Sequence, residues 1–241
     1  RKDSLFGALS RPMIRYLRMR DMAVDPRVDH YFVNSPIIER RLWKYYKRDS
    51  EVLYPPVDLD RYYNQGDHGF YLHLGRLDIE KGVPEVVTAF EDLDERLVMV
   101  GGAGDIDEAV LDRIKRAENI EWRGFVDETE KFELLARCTA VVFNGHNEDF
   151  GIVSIEANAS GKAVLTRKEG FPAVFIDDGE NGYHHNGKSE DIRELVKYFD
   201  DNRISGDPTA AADSFGVNRF LSELQSAIIE AYNEIKLHAN I

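Results

Sequence analysis

The sequence predicts an α/β protein built on a doubly wound parallel sheet. From Gly69 onward, short runs of β-forming residues alternate with helical stretches of about 10 to 15 residues, the pattern of parallel strands joined by crossover helices. Four of the predicted strands end in polar or glycine-rich segments, and such sheets bind ligands beyond the carboxyl ends of their strands. The composition is 43% apolar and 31% charged, which is typical of a globular chain and excludes disorder.

The regular part of the chain contains five predicted strands: Phe70–Leu74, Leu97–Val100, Ile120–Trp122, Ala140–Phe143 and Ala163–Thr166. Helices are predicted at about 81–92, 107–117, 128–137, 151–160, 189–200 and 217–237. Before Gly69, the pattern predicts a helix over 5–20, a short strand over 29–34, and a helix over 36–46 that Ser35 caps. Pro55 and Pro56 end regular structure and mark a domain boundary.

The charge distribution is uneven. Residues 1–48 carry 12 Lys and Arg against 5 Asp and Glu, whereas residues 49–241 carry 19 against 39. The acidic majority argues against a general nucleic-acid affinity. Arg11, Arg15 and Arg18 share one face of the first helix, so this helix either lies on an anionic membrane surface or has a solvated polar face, and we favour the second. A single cysteine, Cys138, excludes a disulfide framework.

The first candidate site follows the strand that ends at Leu74. Gly75, Arg76 and Lys81 lie in the turn that leads into the next predicted helix, where free amides and the helix dipole favour anions. An arginine and a lysine five residues apart supply a bidentate fork and a point charge for a diphosphate. The alternative is a surface ion pair with Asp78 or Glu80.

Two further strand ends carry glycine. The segment that begins Gly101-Gly102 lacks the third glycine of a dinucleotide fingerprint and the Gly-Lys-Ser/Thr ending of a P-loop, so we interpret it as a tight turn. In Gly124-Phe125-Val126, exposed backbone groups beside the phenylalanine would read the edge of a nucleobase. The alternative there is a simple strand exit with Phe125 in the core.

The fourth strand end places Glu148 before a Phe-Gly pair that opens a helix, with Glu156 eight residues later. If these residues were all helical, the two carboxylates would lie about 12 Å apart, which exceeds the roughly 5–9.5 Å of a glycosidase pair. The spacing favours one long ligand with its phosphates over the amides near Gly151, and a surface carboxylate is the alternative for Glu156. His146, His184 and His185 lack metal-ligand spacing and are interpreted as surface residues.

Taken in order, these segments resemble glycosyltransferase family 4, whose members are retaining enzymes with the GT-B fold. The resemblance runs from about Val33 to Tyr183. It rests on Tyr54-Pro-Pro-Val-Asp58 as the interdomain segment, Gly75-Arg76-Leu77 with Glu80-Lys81-Gly82 as the donor-phosphate segment, Val100-Gly101-Gly102 as a glycine turn, Gly124-Phe125-Val126 as the base-proximal turn, and Glu148 to Glu156 as the Glu-x7-Glu motif.

The resemblance implies transfer of a hexose from a nucleoside diphosphate to an acceptor hydroxyl, with retention of anomeric configuration. It implies that Arg76 and Lys81, with Gly75 in the same loop, hold the diphosphate, and that Glu148 faces the transferred sugar. Glu156 would accept hydrogen bonds from the ribose hydroxyls. The remaining donor-binding residues are Val126, through its backbone at the base, and the amides of Phe150, Gly151 and Ile152. No metal or other cofactor is implied, since the cations neutralise the phosphates.

The same resemblance divides the chain. Residues 1–50 are interpreted as a remnant of an N-terminal acceptor domain, 51–68 as an interdomain linker, 69–215 as a Rossmann-like donor-binding domain, and 216–241 as a C-terminal helix that crosses toward the first domain. The chain starts at Arg1, and we expect a piece of a longer polypeptide that is inactive by itself. The predicted partners are a UDP or GDP sugar and a glycan or lipid-linked acceptor. Peripheral contact with the inner membrane face, a cytoplasmic location and a homodimer are further expectations.

Two departures from the family pattern leave the donor preference open. Asn144-Gly145 stands where the family has Pro-Ser, and Ala173 stands where it has a glutamate after a glycine pair. Two alternatives to a transferase therefore remain open: a non-catalytic nucleotide-sugar-binding module and a nucleotide-sugar epimerase of the same architecture.

Overall fold

A computed structural model describes residues 5–239 of the chain. The chain divides into two compact units. The first unit comprises the described residues up to Leu53 together with those from Glu223 onward, and the second extends from Tyr54 to Ser222. Every predicted site residue lies in the second unit.

The first unit begins with helix α1 (Leu5–Val24), followed by strand β1 (Phe32–Val33), helix α2 (Pro36–Tyr46) and strand β2 (Glu51–Val52). The two strands pair in parallel. The predicted cap is confirmed, because the Ser35 side chain accepts a hydrogen bond from the amide of Ile38 and a proline opens the helix. The predicted strand over 29–34 is shorter in the structure, with only two residues paired.

The second unit contains a parallel sheet of six strands. The strands are β3 (Phe70–Leu74), β4 (Arg96–Val100), β5 (Ile120–Trp122), β6 (Ala140–Phe143), β7 (Ala163–Arg167) and β8 (Gly182–His185). Five of them were predicted within one residue at each end. The sixth, β8, was missed, because its sequence Gly-Tyr-His-His has no apolar run to indicate a strand.

Helices cover both faces of this sheet. The helices of the second unit are α3 (Val83–Glu91), α4 (Glu108–Arg116), α5 (Glu128–Arg137), α6 (Ile152–Ala159), α7 (Pro172–Phe175), α8 (Ser189–Asp201) and α9 (Pro208–Ala212), and α10 (Val217–Ala239) continues into the first unit. Phe90 of α3 and Val196 of α8 pack in one core cluster, whereas Leu135 of α5 and Ala157 of α6 pack in another. Two separate cores on one sheet define the predicted doubly wound α/β fold.

The order of the strands locates the crevice. It is β5-β4-β3-β6-β7-β8, so the chain moves outward from β3 to β5 and then returns to start β6 on the other side of β3. Ligands of open α/β sheets bind at this reversal, beyond the carboxyl ends of the strands. The loops that follow β3 and β6 therefore flank the expected binding crevice.

The segment predicted as a linker, residues 51–68, is divided between the two units after Leu53. Its later part packs on the second unit: the amide of Gln65 donates to the carbonyl of Ala136, and Val57 forms a β-bridge with Gly216. These contacts show where the segment lies. Its role as a connection between two domains stays a prediction, as do the roles predicted for the other three segments.

Helix α10 has exposed apolar side chains. They are Leu221, Ile228, Ile229 and Tyr232, each more than half exposed. Association of two copies through this helix stays a prediction. Within residues 5–239, none of the helices combines the length and the hydropathy that crossing a bilayer requires.

Candidate functional site

The loops after β3 and β6 are joined by hydrogen bonds across the crevice. The amide of His146 donates to the carbonyl of Glu80 at 2.8 Å, and the buried Asn144 side chain donates to the carbonyl of Gly82 at 3.1 Å. Asn144 is one of the two residues that depart from the family's Pro-Ser pair. In this chain it fixes the phosphate-loop candidate against the loop that carries Glu148.

Lys81 and Glu148 form an ion pair at the centre of this junction. Both side chains are mostly buried, with 29% and 22% of their surfaces exposed. A Cβ placed on Gly151, which precedes α6 with φ of 69°, would lie 3.2 Å from the Glu148 side chain. The structure therefore brings Lys81, Glu148 and the amino terminus of α6 together, as the sequence predicted. Because the first amides of a helix lack intrahelical partners, this end favours an anion.

Arg76 lies beside the same loop but is held differently. Its Nε donates to Asp78, whose other carboxylate oxygen accepts the backbone amide of Lys81 at 2.8 Å. Asp78 is 2% exposed, whereas the Arg76 side chain is 62% exposed. The hydrogen bond to Asp78 raises the pKa of the Arg76 guanidinium. Arg76 therefore forms the ion pair that the alternative named, and its contact with a diphosphate stays a prediction. Asp78 links the Arg76 guanidinium to the backbone amide of Lys81.

A cavity of about 340 Å³ opens at the carboxyl ends of β3, β4 and β5. Three predicted donor-site residues line it, namely Gly75, Arg76 and Val126, and Phe125 and Lys131 line it as well. Phe125 is 88% exposed, so the alternative that placed it in the core is wrong. The cavity combines an apolar wall with cations at its rim, which suits a base joined to phosphates.

The turn after β4 lets this cavity form. Gly101 has φ of 135°, and a Cβ there would lie 2.0 Å from the carbonyl oxygen of Gly75. A Cβ on Gly102 would lie 2.5 Å from the Phe125 ring. Two glycines are needed because the backbone after β3 and an aromatic ring both approach this turn closely, in agreement with the tight-turn interpretation.

Glu156 is buried, and the surface alternative for it is wrong. It is 7% exposed on α6 and accepts hydrogen bonds from the Tyr62 hydroxyl at 2.7 Å and the Lys131 ammonium at 2.9 Å. Neither partner was singled out from the sequence. Tyr62 lies 94 positions before Glu156, and no local pattern connects residues that far apart. Asp78, by contrast, lies between Arg76 and Lys81 in the sequence, and this short spacing indicated it as an ion-pair partner.

The condition under which the 12 Å separation was calculated, that all residues from Glu148 to Glu156 are helical, does not hold, and the helix predicted at about 151–160 is found at Ile152–Ala159. Helix α6 begins only at Ile152, so Glu148 lies in the preceding loop. The ring of Phe150 is buried and stacks on Phe171 with centroids 5.3 Å apart. The amide of Phe171 donates to the carbonyl of Glu148 at 2.9 Å. An aromatic layer beneath the loop, rather than helical geometry, positions Glu148.

The three histidines near the site, all interpreted as surface residues, differ from one another in burial. His146 is exposed and His184 is half-buried, but His185 is only 4% exposed. Burial lowers the pKa of His185 to about 4. The surface interpretation is therefore wrong for His185. Among the described residues there is no group of three or more His, Cys, Asp and Glu arranged to hold a metal ion, and the absence of a metal requirement stays a prediction.

A larger cavity, about 700 Å³, lies between Glu91 and Asn119 at the loops that precede β4 and β5. This is the amino-terminal side of the sheet, where parallel α/β sheets do not place their ligands. We therefore assign the site to the smaller cavity and the adjoining Lys81–Glu148 junction, which lie at the strand reversal.

The fold is an α/β domain of the GT-B type, and comparisons with known proteins agree. Residues 60–210 match the family model described as "Glycosyl transferases group 1". The chain belongs to this glycosyltransferase family. The match spans the whole crevice, from the turn beside Tyr62 to the last strand of the sheet.

Individual relatives are glycosyltransferases. The chain is 27% identical over 169 residues to an uncharacterized glycosyltransferase of Methanocaldococcus jannaschii, covering 67% of this chain and 48% of the relative. It is 28% identical over 167 residues to the human alpha-1,3/1,6-mannosyltransferase ALG2, covering 56% of this chain and 40% of ALG2. The chain thus spans about half or less of the length of these relatives.

Solved structures share the fold. Sucrose-phosphate synthase from Thermosynechococcus elongatus superposes with a TM-score of 0.79 at 17% identity, covering 90% of this chain and 62% of that one. HepE from Anabaena, solved in complex with UDP and glucose, superposes with a TM-score of 0.79 at 18% identity, covering 88% of this chain and 66% of HepE. At these identities the likeness shows the fold alone.

Proposed function

We propose that this chain is the donor-binding part of a retaining hexosyltransferase of glycosyltransferase family 4. The donor is a nucleoside diphosphate sugar, and the acceptor is the hydroxyl of a glycan or a lipid-linked glycan. The observation that carries the proposal is the junction of Lys81 and Glu148 with the amino terminus of α6, at the reversal of strand order. HepE, of the same fold, binds UDP and glucose.

The diphosphate occupies the space beside Lys81 and the first amides of α6. In the free protein the Lys81 ammonium is paired with Glu148, so an arriving diphosphate exchanges one anionic partner for another. Arg76, held by Asp78, adds a second cation at the cavity rim. As the bond between the sugar and the diphosphate breaks, charge grows on the phosphate oxygens, and these fixed cations and amides stabilise it.

Transfer replaces the bond from the anomeric carbon to the phosphate oxygen by one to the acceptor oxygen, on the same face of the sugar. The departing phosphate oxygen takes the proton of the acceptor hydroxyl, so no side chain is required as a general base. Glu148 faces the transferred sugar. Phe150, Gly151 and Ile152 line the sugar and phosphate through their amides, and neither a metal nor another cofactor is part of the proposal.

The nucleoside occupies the 340 Å³ cavity. Val126 contacts the base through its backbone, and Glu156 accepts hydrogen bonds from the ribose hydroxyls. Arg11, Arg15 and Arg18, on a helix face that we favour as solvated, are compatible with contact with an anionic membrane at the cytoplasmic face, where lipid-linked acceptors are presented. That contact and a homodimer through α10 belong to the proposal as further expectations.

Calorimetry with UDP and GDP and a turnover assay with the corresponding sugars test the proposal. Because the chain spans 48% of a relative's length, we expect it to bind one of the two nucleotides and to transfer no sugar. Failure to bind either nucleotide would contradict the donor site. Robust transfer would overturn the expected inactivity, and the anomeric configuration of the product, read by NMR, would then test retention.

Replacing Phe125 by alanine is expected to weaken nucleotide binding by about 1–2 kcal/mol, because an exposed ring beside the cavity stacks on or flanks the base. Binding of inorganic pyrophosphate, which has no base, should not change. Calorimetry with both ligands measures the difference. Val174→Ala is the control, since Val174 is 55% exposed on α7 and does not line the cavity. Equal losses for both ligands would remove Phe125 from the base site.

A further inference from the structure

We infer that Tyr62 and Lys131 are positioning residues for Glu156, which hold one oxygen of its carboxylate so that the other remains available to the ribose hydroxyls of the donor. The inference rests on the proposed function, which places the ribose on Glu156. It extends the donor site to a residue of the segment that precedes the first strand of the sheet, and to a lysine on α5.

Both hydrogen bonds to the Glu156 side chain end on the same atom. The Tyr62 hydroxyl and the Lys131 ammonium donate to Oε1, at 2.7 Å and 2.9 Å. Within residues 5–239, no protein group donates to Oε2. Two donors on one oxygen fix the rotation of the carboxylate, and the second oxygen keeps its capacity to accept hydrogen bonds from a vicinal pair of hydroxyls.

The charge of Glu156 also depends on these partners. Its side chain is 9% exposed, and burying a carboxylate is costly unless it is paired and hydrogen-bonded. Lys131 supplies the opposite charge. Burial, followed by the nearby Glu156 carboxylate, raises the pKa of Tyr62 well above its ordinary value, so its hydroxyl stays protonated and remains a donor.

The two partners are themselves held in place. The Tyr62 ring packs edge-on against Phe132 with centroids 5.0 Å apart. The Arg61 guanidinium lies 4.5 Å from the centroid of the Phe132 ring and forms an ion pair with Glu128 at 2.8 Å. The short helical turn Leu59–Arg61, which Tyr62 directly follows, is therefore attached to α5, the helix that carries Lys131.

The group borders the cavity assigned to the nucleoside through Lys131. Lys131 lines that cavity, and so does Val153, which is one turn before Glu156 on α6. Residues three apart on a helix share a face, so Glu156 lies on the side of α6 that faces the nucleoside. A ribose at the cavity rim would meet a carboxylate whose orientation is already set.

The test compares a nucleotide with its 2′,3′-dideoxy counterpart by calorimetry, using UDP or GDP, whichever the unaltered chain binds more tightly. In the unaltered chain, loss of both ribose hydroxyls should weaken binding about 10- to 100-fold, as for hydrogen bonds to a charged group. In Tyr62→Phe we expect the nucleotide to bind about 5- to 10-fold more weakly and the dideoxy nucleotide to bind as before. Lys131→Met should also reduce the discrimination between the two ligands.

The matched control is Tyr71→Phe. Like Tyr62, Tyr71 is a tyrosine whose hydroxyl donates to a carboxylate, that of Asp200 at 2.8 Å, but it packs in the other core cluster. This variant should bind both ligands like the unaltered chain. Thermal unfolding of each variant shows whether it is folded. If Tyr62→Phe does not fold, Lys131→Met still tests the inference.

The outcomes separate the inference from the proposed function. If the unaltered chain binds neither nucleotide, or binds the dideoxy form equally well, the assignment of the ribose to Glu156 fails and the inference fails with it. If the unaltered chain discriminates and both variants keep that discrimination, only the positioning roles are overturned. Equal losses for both ligands in the variants would also overturn those roles, because they indicate a structural contribution alone.

Discussion

Replacing Lys81 by alanine is expected to weaken binding of the donor nucleotide by about 2–5 kcal/mol, the usual cost of removing one partner of a buried charge pair. Two effects add in the same direction. The diphosphate loses a cation, and Glu148, which is 22% exposed and paired with Lys81 in the free protein, is left as an uncompensated anion near the phosphates. Calorimetry with the nucleotide that the unaltered chain binds gives the change directly.

Lys115→Ala is the control for this variant. Lys115 is an exposed lysine on α4 that pairs with Asp112 at 3.6 Å, and such surface pairs contribute little. It should leave nucleotide binding unchanged. If Lys81→Ala binds the nucleotide as tightly as Lys115→Ala does, Lys81 is not part of the donor site and the proposed function loses its main support.

The free energy of unfolding is expected to fall between pH 6.5 and pH 4 because two histidines are buried in the neutral form. Burial lowers the pKa of His73, which is 3% exposed on β3, to about 4, and that of His185 to a similar value. As the pH falls below 6.5, the unfolded chain binds these protons and the folded chain does not. Stability is therefore complete above pH 6.5 and is lost toward pH 4, by about 3 kcal/mol for each histidine.

Denaturant unfolding at pH 7.5 and pH 4.5 measures this loss, with fluorescence of Trp122, which is partly buried in the same unit, as the signal. In His73→Leu the loss between the two pH values should be about 2–3 kcal/mol smaller than in the unaltered chain. Met99→Leu is the control, since Met99 is buried opposite His73 in the sheet register and does not titrate. An unchanged loss in His73→Leu would contradict the buried neutral histidine.

Much of the local structure could be predicted because short-range interactions decide it. Ser35 caps α2 and Asp127 caps α5, each through a hydrogen bond to an amide three residues later. The strand ends at Leu74 and Phe143 were identified from the apolar runs that precede them. Because parallel strands align their carboxyl ends, the loops that follow could be expected at one edge of the sheet, where the structure places Lys81 beside Glu148.

Other features of the site have no local signal. Phe125 follows a strand like many core phenylalanines, yet its ring is exposed and lies against Gly102. The partners of Glu156 come from α5 and from a turn far earlier in the chain. Strand β8 has little apolar character and forms because the edge of β7 offers it unpaired backbone groups.

The alternation of strands and helices and the chemical character of each strand end were contained in the sequence itself, because periodicity, capping and glycine turns act over a few residues. Tertiary structure alone decided the order of the strands, the link from Arg76 through the buried Asp78 to the amide of Lys81, and the attachment of Tyr62 and Lys131 to Glu156. The physical reason is that a buried charge must find its partner wherever packing brings one, and packing joins residues that are distant along the chain.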